Sequence, residues 1–386
     1  MYLDTIYHYD NTRIEPRLTY LENDYLKSTY TYNILNKIES KTIRYWDQHL
    51  WEPFSFSKTI DYSYLVSSTI ETNIIDEITV HYYRDGGCLG LIYKINNDYT
   101  GLTGKLENYS ILLKTDDNTF INKTAYSYNY YSTEELQKEK IKRFNNNDDV
   151  IFYKEINYLY DYSGNITSKN IKIGVNEYSI TSNVTDIYQY SFDRLIRIDT
   201  NNSFKTFTYD DYGNIIEVDF YNNNQLIKKE LFSYVLKTKI SEYIVKDSNN
   251  IILKHYKYYY DGFENRYKKE DLINNTIINY HYLDNKLLCQ SNDLIYLYDG
   301  DELIGFNYNN RPYSYLKDDV GNIISIVIEN IDGESIEVAR YEYDGYGNVT
   351  VYSYDSNDSL VVNSNDSFIG NINPYRYKGY YYDVET

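Results

Sequence analysis

The sequence predicts an all-β protein made of antiparallel hairpins stacked side by side, and three observations carry that expectation. Tyrosine occurs 53 times in 386 residues, against 13 for phenylalanine. A five-residue Asp-x-x-Gly-Asn pattern recurs along the chain. Aromatic residues alternate immediately ahead of it.

The tyrosine excess comes first. AT-rich codon usage enriches both Phe and Tyr, so composition alone does not explain a preference for the ring that carries a hydroxyl. Tyrosine favours strands, and suits sites where one end of the ring is packed and the other is wet or hydrogen-bonded. Many half-buried strand positions are therefore expected.

The repeat follows. Asp161-Tyr-Ser-Gly164-Asn165-Ile166, Asp210-Asp-Tyr-Gly213-Asn214-Ile215, Asp318-Asp-Val-Gly321-Asn322-Ile323 and Asp344-Gly-Tyr-Gly347-Asn348-Val349 share one frame. Tyr158 and Tyr160, Phe207 and Tyr209, and Tyr341 and Tyr343 precede three of them, at the i, i+2 spacing of one strand face. The Asp carboxylate can accept backbone N–H groups at the start of a turn. Gly supplies the left-handed residue, and Ile or Val starts the return strand. Each unit reads as a β-hairpin with a tyrosine-bearing arm, and units of this size must stack to bury a face.

Weaker copies surround these four. Tyr30-Thr-Tyr32-Asn33-Ile-Leu-Asn36 keeps the frame with Asn36 in the glycine position, while Tyr258-Tyr-Tyr260-Asp261-Gly-Phe-Glu-Asn265 and Tyr296-Leu-Tyr298-Asp299-Gly300 vary the turn. Ser132-Thr-Glu-Glu-Leu136-Gln-Lys-Glu-Lys-Ile141 reads either as a diverged hairpin or as a short helix. Its opening has helix-start chemistry, yet it follows the repeat's own lead-in at Tyr126 and Tyr128.

Composition narrows the partners. A net charge of −19 disfavours nucleic acid and anionic membranes, which need a concentrated basic surface. Cys88 and Cys289 are too few for a disulfide framework. No apolar run is long enough for a transmembrane segment, and the start MYLDTIYHYD lacks the design of a signal peptide.

On these residues the chain resembles the Rhs/YD-repeat family, which includes polymorphic toxins, toxin-complex shells and teneurins. The blocks Tyr296 to Phe306, Arg311-Pro-Tyr313 to Ile323, Val338 to Asn348 and Asn373-Pro-Tyr375 to Thr386 are, in that order, similar to the RHS repeat-associated core of low-GC Gram-positive bacteria. Residues 151–386 then hold YD repeats and that core, truncated at its C-terminal end, and residues 1–150 hold diverged repeats. The resemblance implies hairpins wound into a spiral, hollow or partly open shell that encloses a toxin domain or other client polypeptide. It also implies a secreted or cell-surface setting within a longer system, or a cytoplasmic one for an orphan fragment. The family's self-cleavage aspartates lie beyond the matched blocks and have no counterpart here, so neither proteolysis nor toxicity carries over.

Enzyme chemistry is not expected. The five histidines show no metal-ligand spacing, no Walker A loop or nucleophile elbow occurs, and no cofactor is implied. Asp161, Asp210, Asp318 and Asp344 keep a fixed relation to a turn glycine, which assigns them to turns rather than to acid–base pairs. The Asp-rich stretches Asp299-Gly-Asp301-Glu302 and Asp116-Asp117-Asn118 read as turn chemistry ahead of calcium. The leading reading is a non-enzymatic shell segment for a client chain or for the rest of a longer Rhs chain. The alternative is an adhesion or carbohydrate-binding module in which Trp46 and Trp51 stack on a cell-surface glycan.

Overall fold

The computed structural model describes residues 5–10, 16–23, 26–47, 52–67, 70–83, 89–99, 104–114, 119–329, 334–356 and 359–385. Among them run 29 strands, one four-residue helix at Ile369–Ile372 and a 3₁₀ turn at Tyr377–Gly379. The architecture is an open antiparallel sheet in which each strand pairs with the next in the chain. From Val150–Tyr160 through Ile166–Asn176, Ser179–Ser191 and Arg194–Thr200 to Leu294–Asp299, every connection is a hairpin.

Two turn types do this work. In the five-residue turn, the first N–H donates to the fifth carbonyl and the fourth N–H donates back to the first, as in Asp161 N to Asn165 O at 3.0 Å and Gly164 N to Asp161 O at 3.2 Å. The fourth residue needs positive φ, which Gly adopts without steric cost. Gly164, Gly213, Gly321 and Gly347 hold it at φ of 83°, 88°, 85° and 84°. The same turn recurs at Asn33–Lys37, Tyr131–Glu135, Asn145–Asp149, Asp247–Ile251 and Asp261–Asn265. There the left-handed residue is Asn36, Glu134, Asp148, Asn250 or Glu264. The segment after Ser132 is thus a hairpin, with a strand at Leu136–Phe144 in place of the helix alternative. The second type is the two-residue loop with both φ positive, as at Asn223-Asn224 and Asp284-Asn285, whose twist matches that of the strands.

Contact density divides the chain into two compact units. The first comprises residues 1–127, 143–149 and 296–385, and the second residues 128–142 and 150–295. The division of the sequence at 150/151 concerns how faithfully the repeat is kept, which is a separate property from compactness.

The first unit has a two-layered core. Strands between Leu26 and Lys114 bury Leu26, Ile43, Tyr45, Ile78, Tyr82 and Ile95, while strands between Glu302 and Tyr343 bury Ile304, Phe306, Tyr315, Ile326 and Tyr341. In the second unit the register sorts side chains into two unlike faces. One face carries Ile156, Ile171 and Val184, then Tyr188 and Ile198, then Phe207 and Val218, then Phe232, Tyr243 and Tyr256 in cross-strand rows. Of this face Ile156, Val218, Tyr243, Val245 and Tyr258 are fully buried, and most of the rest is half-buried. The other face carries more of the ion pairs, interspersed with apolar residues such as Phe204, Tyr221, Leu231 and Ile244, while Lys228 and Glu230 pair on the first face. Glu155 meets Lys172 at 3.2 Å, Lys229 meets Glu217 at 2.5 Å, and His255 Nε2 lies 2.7 Å from Glu242.

Candidate functional site

The turn residues form one repeated device. Asp161 Oδ1 accepts the N–H groups of Ser163 and Asn165, both at 2.9 Å, and its Oδ2 accepts the Asn165 side-chain amide at 3.0 Å. Asp210 makes the same three bonds with Tyr212 and Asn214, Asp318 with Val320 and Asn322, and Asp344 with Tyr346 and Asn348. The Asn side chain in each motif therefore binds the carboxylate, a role the sequence pattern does not itself assign. In the exposed turns these bonds, led by the Asn165 and Asn214 amides, hold Asp161 and Asp210 below the usual carboxylate range. Asp318 differs because burial, with the Asp319 charge beside it, overrides the same bonds and pushes it up to about 7.

The tyrosine ahead of each turn has a fixed partner. Tyr160 donates its hydroxyl to Leu136 O (2.6 Å), Tyr190 to Ile166 O (2.9 Å), Tyr209 to Leu195 O (2.6 Å), Tyr234 to Ile215 O (2.7 Å) and Tyr260 to Ile240 O (2.8 Å). In the first unit, Tyr64 reaches Ile38 O and Tyr343 reaches Ile323 O. Each acceptor lies at the start of the strand that leaves the previous turn on the same side. The hairpin register slips by one residue at Tyr160, Tyr190, Tyr209, Tyr234 and Tyr260, and such bulges disrupt the ladder locally. The hydroxyls tie each hairpin to the one before it, which phenylalanine cannot do.

A buried polar seam joins the two layers of the first unit. Asp299 accepts from both Tyr30 and the Lys41 ammonium, and Lys41 also reaches Glu302 at 2.7 Å. Asp299 precedes the turn at Gly300-Asp301, as the sequence suggests, and its carboxylate is in addition an internal ion-pair partner of Lys41. Glu302 keeps its side chain 43% exposed, and the Lys41 and Lys317 ammonium groups beside it hold it below the usual carboxylate range. Further along, Tyr45 donates to Ser314 Oγ at 2.9 Å, and Tyr93 donates to Glu337 at 2.5 Å. Arg340 grips Glu337 through Nε and Nη2, and Arg143 grips Glu342 likewise. Burial lowers Lys58 to about 7, and its side-chain nitrogen donates to the Tyr315 carbonyl at 2.9 Å. Lys58 lines a cavity of about 350 Å³ with Ile60, Ile78, Glu302, Asp318 and Asp319.

Other expected sites fall elsewhere. Trp46 belongs to the strand Ile38–Asp47, but its side chain, Trp51, Cys88 and Asp116 to Asn118 lie outside the described residues. Among the described residues, no three His, Cys, Asp or Glu side chains are grouped to hold a metal ion, and no helix is long and apolar enough to cross a membrane.

No protein-family model matches the chain, and no curated protein matches it. Solved structures that it resembles include TcdB2-TccC3-Cdc42, at 12% identity over 98% of this chain and 23% of that one, with a TM-score of 0.37. The Tc holotoxin pore of Photorhabdus luminescens gives 13% identity, 98% and 24% coverage, and a TM-score of 0.33. A porin-like protein from Bacteroides uniformis gives 9% identity, 60% and 91% coverage, and a TM-score of 0.23. The chain spans about a quarter of the length of the first two. With TM-scores below 0.5, these likenesses do not bear on what the chain does.

Proposed function

We propose that the chain is a non-enzymatic segment of an Rhs/YD-repeat shell, a winding wall of hairpins that scaffolds or encloses a client polypeptide. One observation carries this reading. The sheet of the second unit has one face richer in apolar side chains, which its own strands leave largely half-buried, and an opposite face richer in ion pairs. A single layer with one apolar face must find something to pack against. A client chain, or further coils of a longer Rhs chain, would supply it. Its tyrosine hydroxyls spend their bonds on the wall itself, which suits a structural part. The setting proposed is the cell surface or exterior, within a larger assembly.

The test has two measurements. A compact chain of this length should have a radius of gyration of about 21 Å. Small-angle scattering at low concentration should give a clearly larger value, and the chain should slow proteolysis of a reduced, alkylated and hence unfolded polypeptide. A radius at or below the compact value, with no protection of the unfolded probe, would overturn the proposal.

A further inference from the structure

Successive hairpins of the second unit turn alternately at two rims, and the two rims are chemically unlike. At one rim the tips between Asp161 and Asn265 are, in order, Tyr162, Phe192, Tyr212, Leu236 and Phe263, all exposed, with Phe192 at 99%, and polar tips at Ser132-Thr133 and Asp284-Asn285 flank them on the same rim. The intervening tips on the opposite rim include Asn201-Asn202, Asn223-Asn224 and Ser248-Asn249, with Tyr178 and Leu272-Ile273 as its apolar members. Tips on one rim are two strand spacings apart, or roughly 9.5 Å, so the five side chains stand in a regular file.

The backbone makes this file more than chance exposure. Phe192 and Leu236 occupy left-handed positions, at φ of 50° and 53°, where the opposite rim uses Asn201 and Asn223 at 51° and 47°. Asn tolerates that region and bulky side chains do not. Strain of this kind clusters at sites with a function, and here it keeps two large apolar groups in water.

We propose that this rim is a self-association surface, in which a second copy of the chain docks its own row of tips head to tail against the first. The order of the tips fits a two-fold axis through Tyr212. Tyr162 then meets the partner's Phe263, and Phe192 meets the partner's Leu236. The axis also sets Asp193 opposite the partner's Lys237. The area fits as well. At roughly 200 Å² for a whole aromatic side chain, the four aromatic tips expose about 700 Å², close to the ~800 Å² that each partner gives to a standard interface. The five turns from Asp161 to Asn265 carry Asp161, Asp193, Asp210, Asp211, Asp261 and Glu264 against Arg194 and Lys237, a balance of six acids to two bases, or −4 over these turns, and Glu134 and Asp284 on the flanking tips add to it. Like-charged rims repel at low ionic strength, so salt should strengthen the association.

The experiment is sedimentation of the full chain from sub-micromolar to high-micromolar concentration, at low and high salt. A monomer–dimer equilibrium that tightens with salt is expected. The double variant Phe192→Asn with Leu236→Asn relieves backbone strain, so it should fold at least as well as the parent while weakening association by about tenfold or more. Tyr178→Ser on the opposite rim should leave the equilibrium unchanged. A parent chain that stays monomeric throughout, or a double variant that dimerises like the parent, would overturn the proposal. The first outcome would leave the rim to a different protein, and the second would place self-contact elsewhere, for instance at an unpaired strand edge.

Discussion

Arg143 and Glu342 stand 199 positions apart in sequence and meet as a buried two-pronged ion pair, with Nε to Oε1 at 2.6 Å and Nη2 to Oε2 at 2.9 Å. The guanidinium also lies over the Tyr352 ring, 4.2 Å from its centroid. Removing one member leaves the other charged and dry, which typically costs 3–5 kcal/mol, whereas replacing both with apolar residues of similar size costs far less. Glu342→Gln should therefore lower stability by about 3 kcal/mol in urea titration. Arg143→Met combined with Glu342→Leu should recover most of it. Equal losses in the single and double variants would count against the seam as a charge-paired contact.

The tyrosine ladder makes a narrower prediction. Tyr209→Phe or Tyr234→Phe removes only a hydroxyl and strands the Leu195 or Ile215 carbonyl. Each should cost about 1 kcal/mol. Tyr212→Phe, at an exposed tip whose side chain has no such carbonyl acceptor among the described bonds, should change stability by less than about 0.5 kcal/mol. Equal effects at all three positions would refute the ladder.

The turn glycines should not be equivalent. A Cβ at Gly164 would meet nothing within 4 Å, so Gly164→Ala pays only for its positive φ, about 1–2 kcal/mol. At Gly347 the same Cβ would come within 2.7 Å of the Tyr377 ring. Gly347→Ala should therefore lose more than Gly164→Ala in parallel thermal melts, and the reverse order would be inconsistent with the packing of Tyr377.

Lys58 gives a pH signature. Its folded pKa of about 7 lies below the unfolded value of 10.5. Between those values the unfolded chain binds the extra proton, so stability rises as pH climbs from 7 to 10.5. Below pH 7 both states are protonated and the full burial cost, on the order of 3–5 kcal/mol, is present. Lys58→Met should thus raise the melting temperature strongly at pH 6 and only slightly near pH 10.5. A pH-independent gain would show that Lys58 does not titrate in this window. Asp318 contributes in the opposite sense. Its raised pKa favours the folded state least above pH 7, where the unfolded carboxyl is already ionised.

How much of this was legible in the sequence depends on the range of the interaction. The Asp161, Asp210, Asp318 and Asp344 turns could be read directly, because every group that makes them lies within five residues. Glu134 and Glu264 were not legible as left-handed residues. Glutamate rarely goes there, and only the pairing of the flanking strands forces it. Asp299 does precede a turn at Gly300, as its sequence suggests, but nothing local announced Lys41 as its partner 258 positions away. The rim of tips was hidden differently. Tyr162, Phe192, Tyr212, Leu236 and Phe263 are plain in the sequence, but only the strand count between them puts all five at one end of the sheet.

The sequence by itself determined the all-β class, the hairpin frame and the demand for tyrosine, because turn chemistry and strand periodicity act over a few bonds. Tertiary structure decided which carbonyl each tyrosine hydroxyl reaches and which carboxylates are buried against which cations. It also decided which tips share a rim. Those choices depend on strands brought together from up to 269 positions apart, and no local pattern encodes a partner at that distance.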